Sequence, residues 1–315
     1  MTLLVQHQLI LAKIETAYNT DADPAPATNS ILVQDLSWTQ HGLRMEKRPA
    51  LRVDSISPLQ PVYGGELCQI EFTCEVKGSG TAGTAPEIDP LLQACGMAAT
   101  IAASISVTYA PISTNSGIKS CTIYHEYDGN VQKLTGCMGT VNFTIKSGMI
   151  VTAKFTFTGH VESRVAGALG TPTFNATVPV AAINMSGLLI GAYAPVAQSF
   201  ALDVGTKVET PANLGAADGY GPIMISERDS KGTIEVEADL LGNVDFFTDI
   251  SDGTAINFTT GAIGSAAGNK VTFNVPQLVV TGIKPGNSNG IITATVDYQA
   301  VESSTPDTNF SIEFT

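Results

Sequence analysis

GGELCQIEFTCEVKGSGTAGTAPEIDPLLQACG, residues 64–96, opens on a strict alternation. Cys68, Ile70, Phe72, Cys74 and Val76 take every second position, with Gln69, Glu71, Thr73 and Glu75 between them. Successive side chains of a β-strand point to opposite faces, so this segment is predicted to be a strand with one apolar and one polar, partly acidic face. The Gly/Ser/Thr run Gly78–Ala85 then breaks the strand. Pro86 follows, Ile88, Leu91, Leu92 and Cys95 recur at helical spacing, and Gly96 ends the turn. The unit is a one-sided strand, a flexible loop and one short amphipathic helix.

A weaker copy lies far downstream. In Gly232–Asp239, Ile234, Val236 and Ala238 alternate with Thr233, Glu235, Glu237 and Asp239. A second short helix is predicted over Asp245–Ile250, ending near Gly253. The pattern is that of a tandem duplication. At 315 residues the chain can hold two domains of ordinary size. Boundaries fall at 1–30 for an N-terminal arm, 31–170 and 171–302 for two β domains, and 303–315 for a C-terminal tail.

Charged residues make up only 14% of the chain while Gly numbers 30, and mean hydropathy is +0.17. This is a mainly β composition, with too little surface charge for a freely dispersed monomer, and implies burial in an assembly. The net charge of −13 leaves too few Lys and Arg to track a phosphate backbone, so nucleic acid and acidic lipid are poor candidates for a tight ligand. Cys68, Cys74, Cys95, Cys121 and Cys137 match no zinc or haem spacing. Cys68 and Cys74 share a face but stand ~20 Å apart at ~3.3 Å per residue, so they cannot bridge. Buried, reduced thiols are expected. No basic region precedes the apolar Leu3–Ala12, so a secretion signal is not expected. The Asn-X-Ser/Thr matches, including Asn142, Asn175, Asn184, Asn257 and Asn309, are then chance products of a Thr-rich β sequence.

In chain order, Ile31–Gln40 is a strand with Leu32, Leu36 and Trp38 available to one face. Gly42–Gly65 carries the densest charge cluster, Arg44, Glu46, Lys47, Arg48, Arg52 and Asp54, among Pro49, Pro58 and Pro61. It is expected to project and dock on a neighbour through ion pairs. Strands follow at Ser104–Tyr109 and in hairpins over Ser120–Leu134 and Thr140–Thr158. Val165–Gln198, rich in Pro, Gly and Asn, connects the copies. In the second copy, Gln198–Gly205, Asn269–Val275 and Ile291–Val301 are strands, and Gly282–Gly290 is a connection. No catalytic or metal-binding constellation is present: His7, His41, His125 and His160 stand in no ligand or nucleophile motif, and Gly78, Gly80 and Gly83 lack the Lys-Ser/Thr of a phosphate loop. No cofactor and no enzymatic activity are expected.

The strand-loop-helix of residues 64–96, the following SVTYAPIS, the hairpin CTIYHEYDGNVQKLTGCMGTVNFTIKSG, the late FTFTGHV and the opening ETAYNTDADP…ILVQDL together resemble a phage tail tube protein, of the duplicated type found in long non-contractile (siphovirus) tails. The resemblance covers residues 10–165 best. It implies two tandem antiparallel β-sandwich domains, each with one short helix, whose inner sheets join those of neighbours into a ring-wide β-barrel. Two domains per chain imply trimeric, pseudo-hexameric rings, with a hexamer as the alternative. The implied role is a virion structural protein, assembled in the host cytoplasm with a tape-measure protein and with tail terminator and distal tail proteins. It would conduct double-stranded DNA during ejection without binding it tightly, and would need no membrane. The polar alternates Gln69, Glu71, Thr73, Glu75, Glu235, Glu237 and Asp239 are then lumen candidates whose charge repels phosphate. The charged residues of Gly42–Gly65 are inter-ring candidates. A two-domain adhesin or carbohydrate-binding module is the competing reading, but it wants exposed aromatics and the chain has one tryptophan.

Overall fold

The alternating run folds as it reads. In the computed structural model, which describes residues 4–183, 185 and 187–315, Leu67–Glu75 is a strand. Its Cys68, Ile70, Phe72 and Cys74 are buried, and Gln69, Glu71, Thr73 and Glu75 lie half-buried on the other face.

The elements before it are β1 (Gln8–Ile14), helix α1 (Pro26–Asn29), β2 (Ser30–Ile31), β3 (Val33–His41), β4 (Met45–Glu46) and β5 (Val62–Tyr63), so that Leu67–Glu75 is β6. Helix α2 (Asp89–Ala94) follows, burying Leu91, Leu92 and Ala94. Then come β7 (Met97–Ala102), β8 (Ser106–Pro111), β9 (Cys121–Tyr127), β10 (Asn130–Lys146) and β11 (Thr152–Ala166). The second half has β12 (Leu189–Ile190), β13 (Ala197–Asp203), β14 (Thr206–Glu209), β15 (Met224–Arg228), β16 (Lys231–Glu237), helix α3 (Phe246–Asp252), β17 (Ala255–Thr259), β18 (Val271–Ser288), β19 (Ile291–Ala300) and β20 (Ser311–Phe314). Helix α3 starts where the sequence places it. Asp245 caps it, accepting from the Phe247 and Thr248 N–H groups, and Gly253 ends it at φ 63°.

The pairings β3–β6, β6–β11 and β11–β10 are repeated as β13–β16, β16–β19 and β19–β18. The correspondence extends to single residues. Ser37 opposes Glu71 and Trp38 opposes Ile70, as Ser199 opposes Glu235 and Phe200 opposes Ile234, and each pairing has a bulge just before the serine. The two quartets are fused by β10–β13, Asn142 opposite Asp203 through Lys146 opposite Ser199. The result is an eight-strand antiparallel face, β3-β6-β11-β10-β13-β16-β19-β18.

A second layer covers its apolar side. The early parts of β10 and β18 belong to that layer, pairing with β9 and with β17 and β20, and bulges re-aim both strands into the eight-strand face. One core lies between the layers. Phe143 meets Phe273 with ring centroids 5.2 Å apart, Phe200 stacks on Phe258 at 4.7 Å, and Phe72, Phe155 and Phe157 form a buried triplet. Each such ring contributes about 2–3 kcal/mol through removal from water.

Three expectations change, and one strand is added. The N-terminal arm contains a core strand: β1 pairs with β9 along its whole length, and Leu9–Ala12 are buried. Its first three residues lie outside the described ones. The C-terminal tail contains β20, which sits between β18 of the second half and β8 of the first and buries Phe310, Ile312 and Phe314. The Gly282–Gly290 connection is strand as far as Ser288. Pro285 is tolerated there because that stretch pairs on one side only, so its missing N–H costs no ladder bond. Met97–Ala102, unassigned in the sequence, is strand β7. The connector Val165–Gln198 is irregular between β11 and β13 apart from β12; its Asn184 and Ser186 lie outside the described residues.

Candidate functional site

The polar side of the eight-strand face is where the sequence-derived lumen candidates fall. Following the register from strand to strand, Thr73, Lys154, Asn142, Asp203, Lys231 and Gln299 form one continuous row. Glu75, Thr152, Thr144, Ala201, Thr233 and Asp297 form the next. Lys146, Ser199, Glu235, Thr295 and Lys284 form a third. The fold therefore brings Gln69, Glu71, Thr73 and Glu75 of the first half onto one surface with Glu235 and Glu237 of the second. Asp239 is off that surface. It lies past the end of β16, accepting from the Leu240 N–H, Asn243 Nδ2 and Tyr193 OH, and those donors hold its carboxyl below the usual carboxylate range, the Leu240 N–H most of all.

The same surface carries lysines among its acids. Lys154 Nζ stands 3.3 Å from Glu71, and Lys284 Nζ is 2.6 Å from Asp297. Lys231 pairs with Asp229 at 3.2 Å, and Glu75 lies 4.0 Å from the buried Lys77. Glu71, Glu75, Asp203, Glu235, Glu237 and Asp297 are thus set against Lys146, Lys154, Lys231 and Lys284, and the face is only mildly acidic. The alternation itself carried the signal, since each of these residues occupies a polar alternate of its strand. Glu235 accepts from Ser199 Oγ at 3.3 Å.

The two ends of this face are open. Among the described residues β3 pairs with β6 alone, and Gly282–Ser288 pairs with β19 alone. An unpaired strand edge is a template for another chain.

The charged loop is a projecting ribbon, with Met45 opposite Tyr63 and Glu46 opposite Val62. Arg44 sits at its root. Its guanidinium lies 3.9 Å over the Tyr220 ring and donates to the Gly219 carbonyl at 3.0 Å. The Tyr220 hydroxyl donates to the Gly42 carbonyl. Arg52 and Asp54 bond to each other at 2.7 and 3.0 Å, while Glu46, Lys47 and Arg48 are exposed. The tip is apolar, with Leu51, Val53 and Ile56 fully exposed. Beside the root, His160 bridges Asp218 at 2.5 Å and Tyr18 at 3.1 Å, and Tyr18 accepts from the Ile223 N–H. Burial pushes Tyr18 up to about 12. This relay ties the N-terminal segment and β11 to the β14–β15 loop of the second half. It went unseen in the sequence because its members lie up to 205 residues apart.

Among the described residues no group of three or more metal-ligating side chains converges, and no helix is long and apolar enough to cross a membrane. No curated protein matches the chain. A family model described as phage tail tube protein matches residues 6–300. With nearly its whole length matched, and with an antiparallel β architecture that presents one polar face and two open edges, the chain belongs to the phage tail tube family and is a structural component of the virion tail.

Proposed function

We propose that copies of this chain close into rings through the open edges of the eight-strand face, and that stacked rings form the channel through which double-stranded DNA leaves the capsid. One observation carries this reading: the chain already contains one such junction. β10 meets β13 edge to edge and fuses two quartets with the same internal register. β18 is the counterpart of β10 and β3 the counterpart of β13, so β18 of one copy can meet β3 of the next in the same way. Closure removes both exposed edges and turns the polar face toward a common pore. Three chains per ring give six equivalent quartets; six chains per ring is the alternative.

The lining repels DNA weakly rather than strongly, because its lysines offset much of its acid. A mildly negative wall of Thr, Ser, Asn and Gln side chains leaves phosphates hydrated, and Lys154, Lys231 and Lys284 are already paired with carboxylates. A tape-measure protein occupying the pore during assembly, and terminator and distal tail proteins at its ends, complete the picture.

Electron microscopy of the purified chain tests the assembly: annular or tubular particles are expected, and dispersed monomers at every concentration would reject it. Glu71→Lys combined with Glu235→Lys tests the lining. Tubes should still form, because both side chains are half-exposed on the polar face, and ejection should slow. Unchanged ejection would reject the channel role for this face.

A further inference from the structure

Two apolar surfaces lie at the margins of the eight-strand face that ring closure leaves free. Every neighbouring pair in that face is antiparallel, so chain direction alternates across it. The β3–β6 connection therefore leaves one margin, while the end of β16 and the start of β19 lie at the opposite one. From the first margin projects the 42–65 ribbon with its bare tip, Leu51, Val53 and Ile56. At the second, a groove of about 360 Å³ opens between α3, β18 and β19. Its walls include Leu241, Phe247, Ile283 and Ile292, and Phe247 and Ile292 are 64% and 66% exposed.

The charges of the two surfaces are complementary. The ribbon carries Arg44, Lys47, Arg48 and Arg52 against Glu46 and Asp54, a basic cluster in a chain of net charge −13. The β16 and α3 walls of the groove belong to a stretch with no Lys or Arg between Lys231 and Lys270, and Lys284 beside its β18 wall is paired with Asp297 at 2.6 Å. Glu237 and Asp239 line the groove, and Asp245, Asp249 and Asp252 lie on or cap α3. Asp249 is raised above the ordinary carboxylate value, first by burial and then by Asp245 and Asp252, so this end of the molecule is crowded with negative charge.

We propose that the groove between α3 and the β18–β19 margin receives the tip of the 42–65 ribbon from a second copy of this chain, seated in the adjacent ring. The proposal rests on the ring reading above and names the surface that stacking uses. The ribbon docks by inserting an apolar tip, with its basic flanks against the acidic rim, rather than through ion pairs alone. Knob and groove lie at opposite margins, so the contact is head to tail, and a head-to-tail contact that does not close on itself propagates as a filament.

Leu51→Cys combined with Phe247→Cys tests it. All five native cysteines are buried and free, so only the introduced thiols react in the native protein. Oxidised assemblies of the double variant should give a ladder of covalent oligomers on a non-reducing gel, and neither single variant should. A parallel variant, Phe247→Asp, alters an exposed side chain and should give a folded chain that forms rings but no tubes. Absence of the ladder, a ladder from Leu51→Cys alone, or normal tubes from Phe247→Asp would each overturn the groove assignment and leave the ring reading intact. If the unmodified chain forms no rings yet the double variant cross-links, the groove contact stands and the ring reading falls.

Discussion

His125 shows how much a single buried polar residue can reveal. It lies on β9 opposite Ile10 of β1 and Gln132 of β10, 2% exposed, with Nε2 2.8 Å from Gln8 Oε1 and Nδ1 without a partner. Protonation would bury a charge beside an unsatisfied donor, so burial lowers its pKa from 6.5 to about 4. The unfolded chain then binds a proton that the folded chain refuses. Stability contributed by this residue is complete above about 6.5 and is lost as pH falls toward about 4, at roughly 1.4 kcal/mol per pH unit within that window. Urea unfolding across the window should show this decline, and His125→Gln should flatten it. A contrasting case is Glu15, 6% exposed, which keeps its position by accepting from Ser120 Oγ, Thr122 Oγ1 and the Asn19 and Gly136 N–H groups.

Among the elements, β20 has consequences out of proportion to its four residues. It pairs with β18 on one side and β8 on the other, and Tyr109 meets Phe314 edge-on at 5.8 Å. Removing residues 302–315 would open both neighbouring edges and take Phe310, Ile312 and Phe314 out of the core. At about 2 kcal/mol for each buried side chain the loss approaches 6 kcal/mol, against a typical total stability of about 5–15 kcal/mol. The truncated chain should therefore unfold at a markedly lower temperature or accumulate insoluble. A melting temperature within a few degrees of the full chain would show β20 to be dispensable. Neither β1 nor β20 was legible in the sequence, for different reasons. β1 is buried on both faces over Leu9–Ala12, so it has no polar alternates and no period of two. β20 has only a brief alternation, Phe310, Ile312 and Phe314 against Ser311 and Glu313, and nothing local shows which distant edges so short a strand joins.

Across the whole molecule, the internal junction fixes what an intermolecular one should look like. Phe143 opposes Leu202 at the β10–β13 seam. Carried through the repeated registers, these positions become Asn287 of β18 and Gln40 of β3. Gln40→Cys combined with Asn287→Cys should therefore form disulfide-linked chains in assembled material, and displacing one cysteine along its strand should abolish the link. Efficient linkage at a different offset would mean that ring closure uses another register. This test concerns the side edges of the face, whereas the Leu51 and Phe247 pair concerns its upper and lower margins, so the two contacts are read independently.

By itself the sequence determined the two alternating strands β6 and β16, the short helices after them and the sidedness of each sheet segment. These follow from local physics: a period of two places apolar groups on one face, and Asp245 and Gly253 can begin and end a helix without help from distant residues. Only the tertiary structure decided which acids share a surface, how far the lysines of β10, β11, β16 and β18 neutralise it, and that Asp239 leaves it. The same holds for the root of the charged ribbon, pinned by Tyr220 from 176 positions beyond Arg44, and for Gly282–Ser288, whose glycines and proline resemble a turn but lie along an open edge. Such outcomes depend on pairings between segments far apart in the chain, which no local pattern of residues encodes.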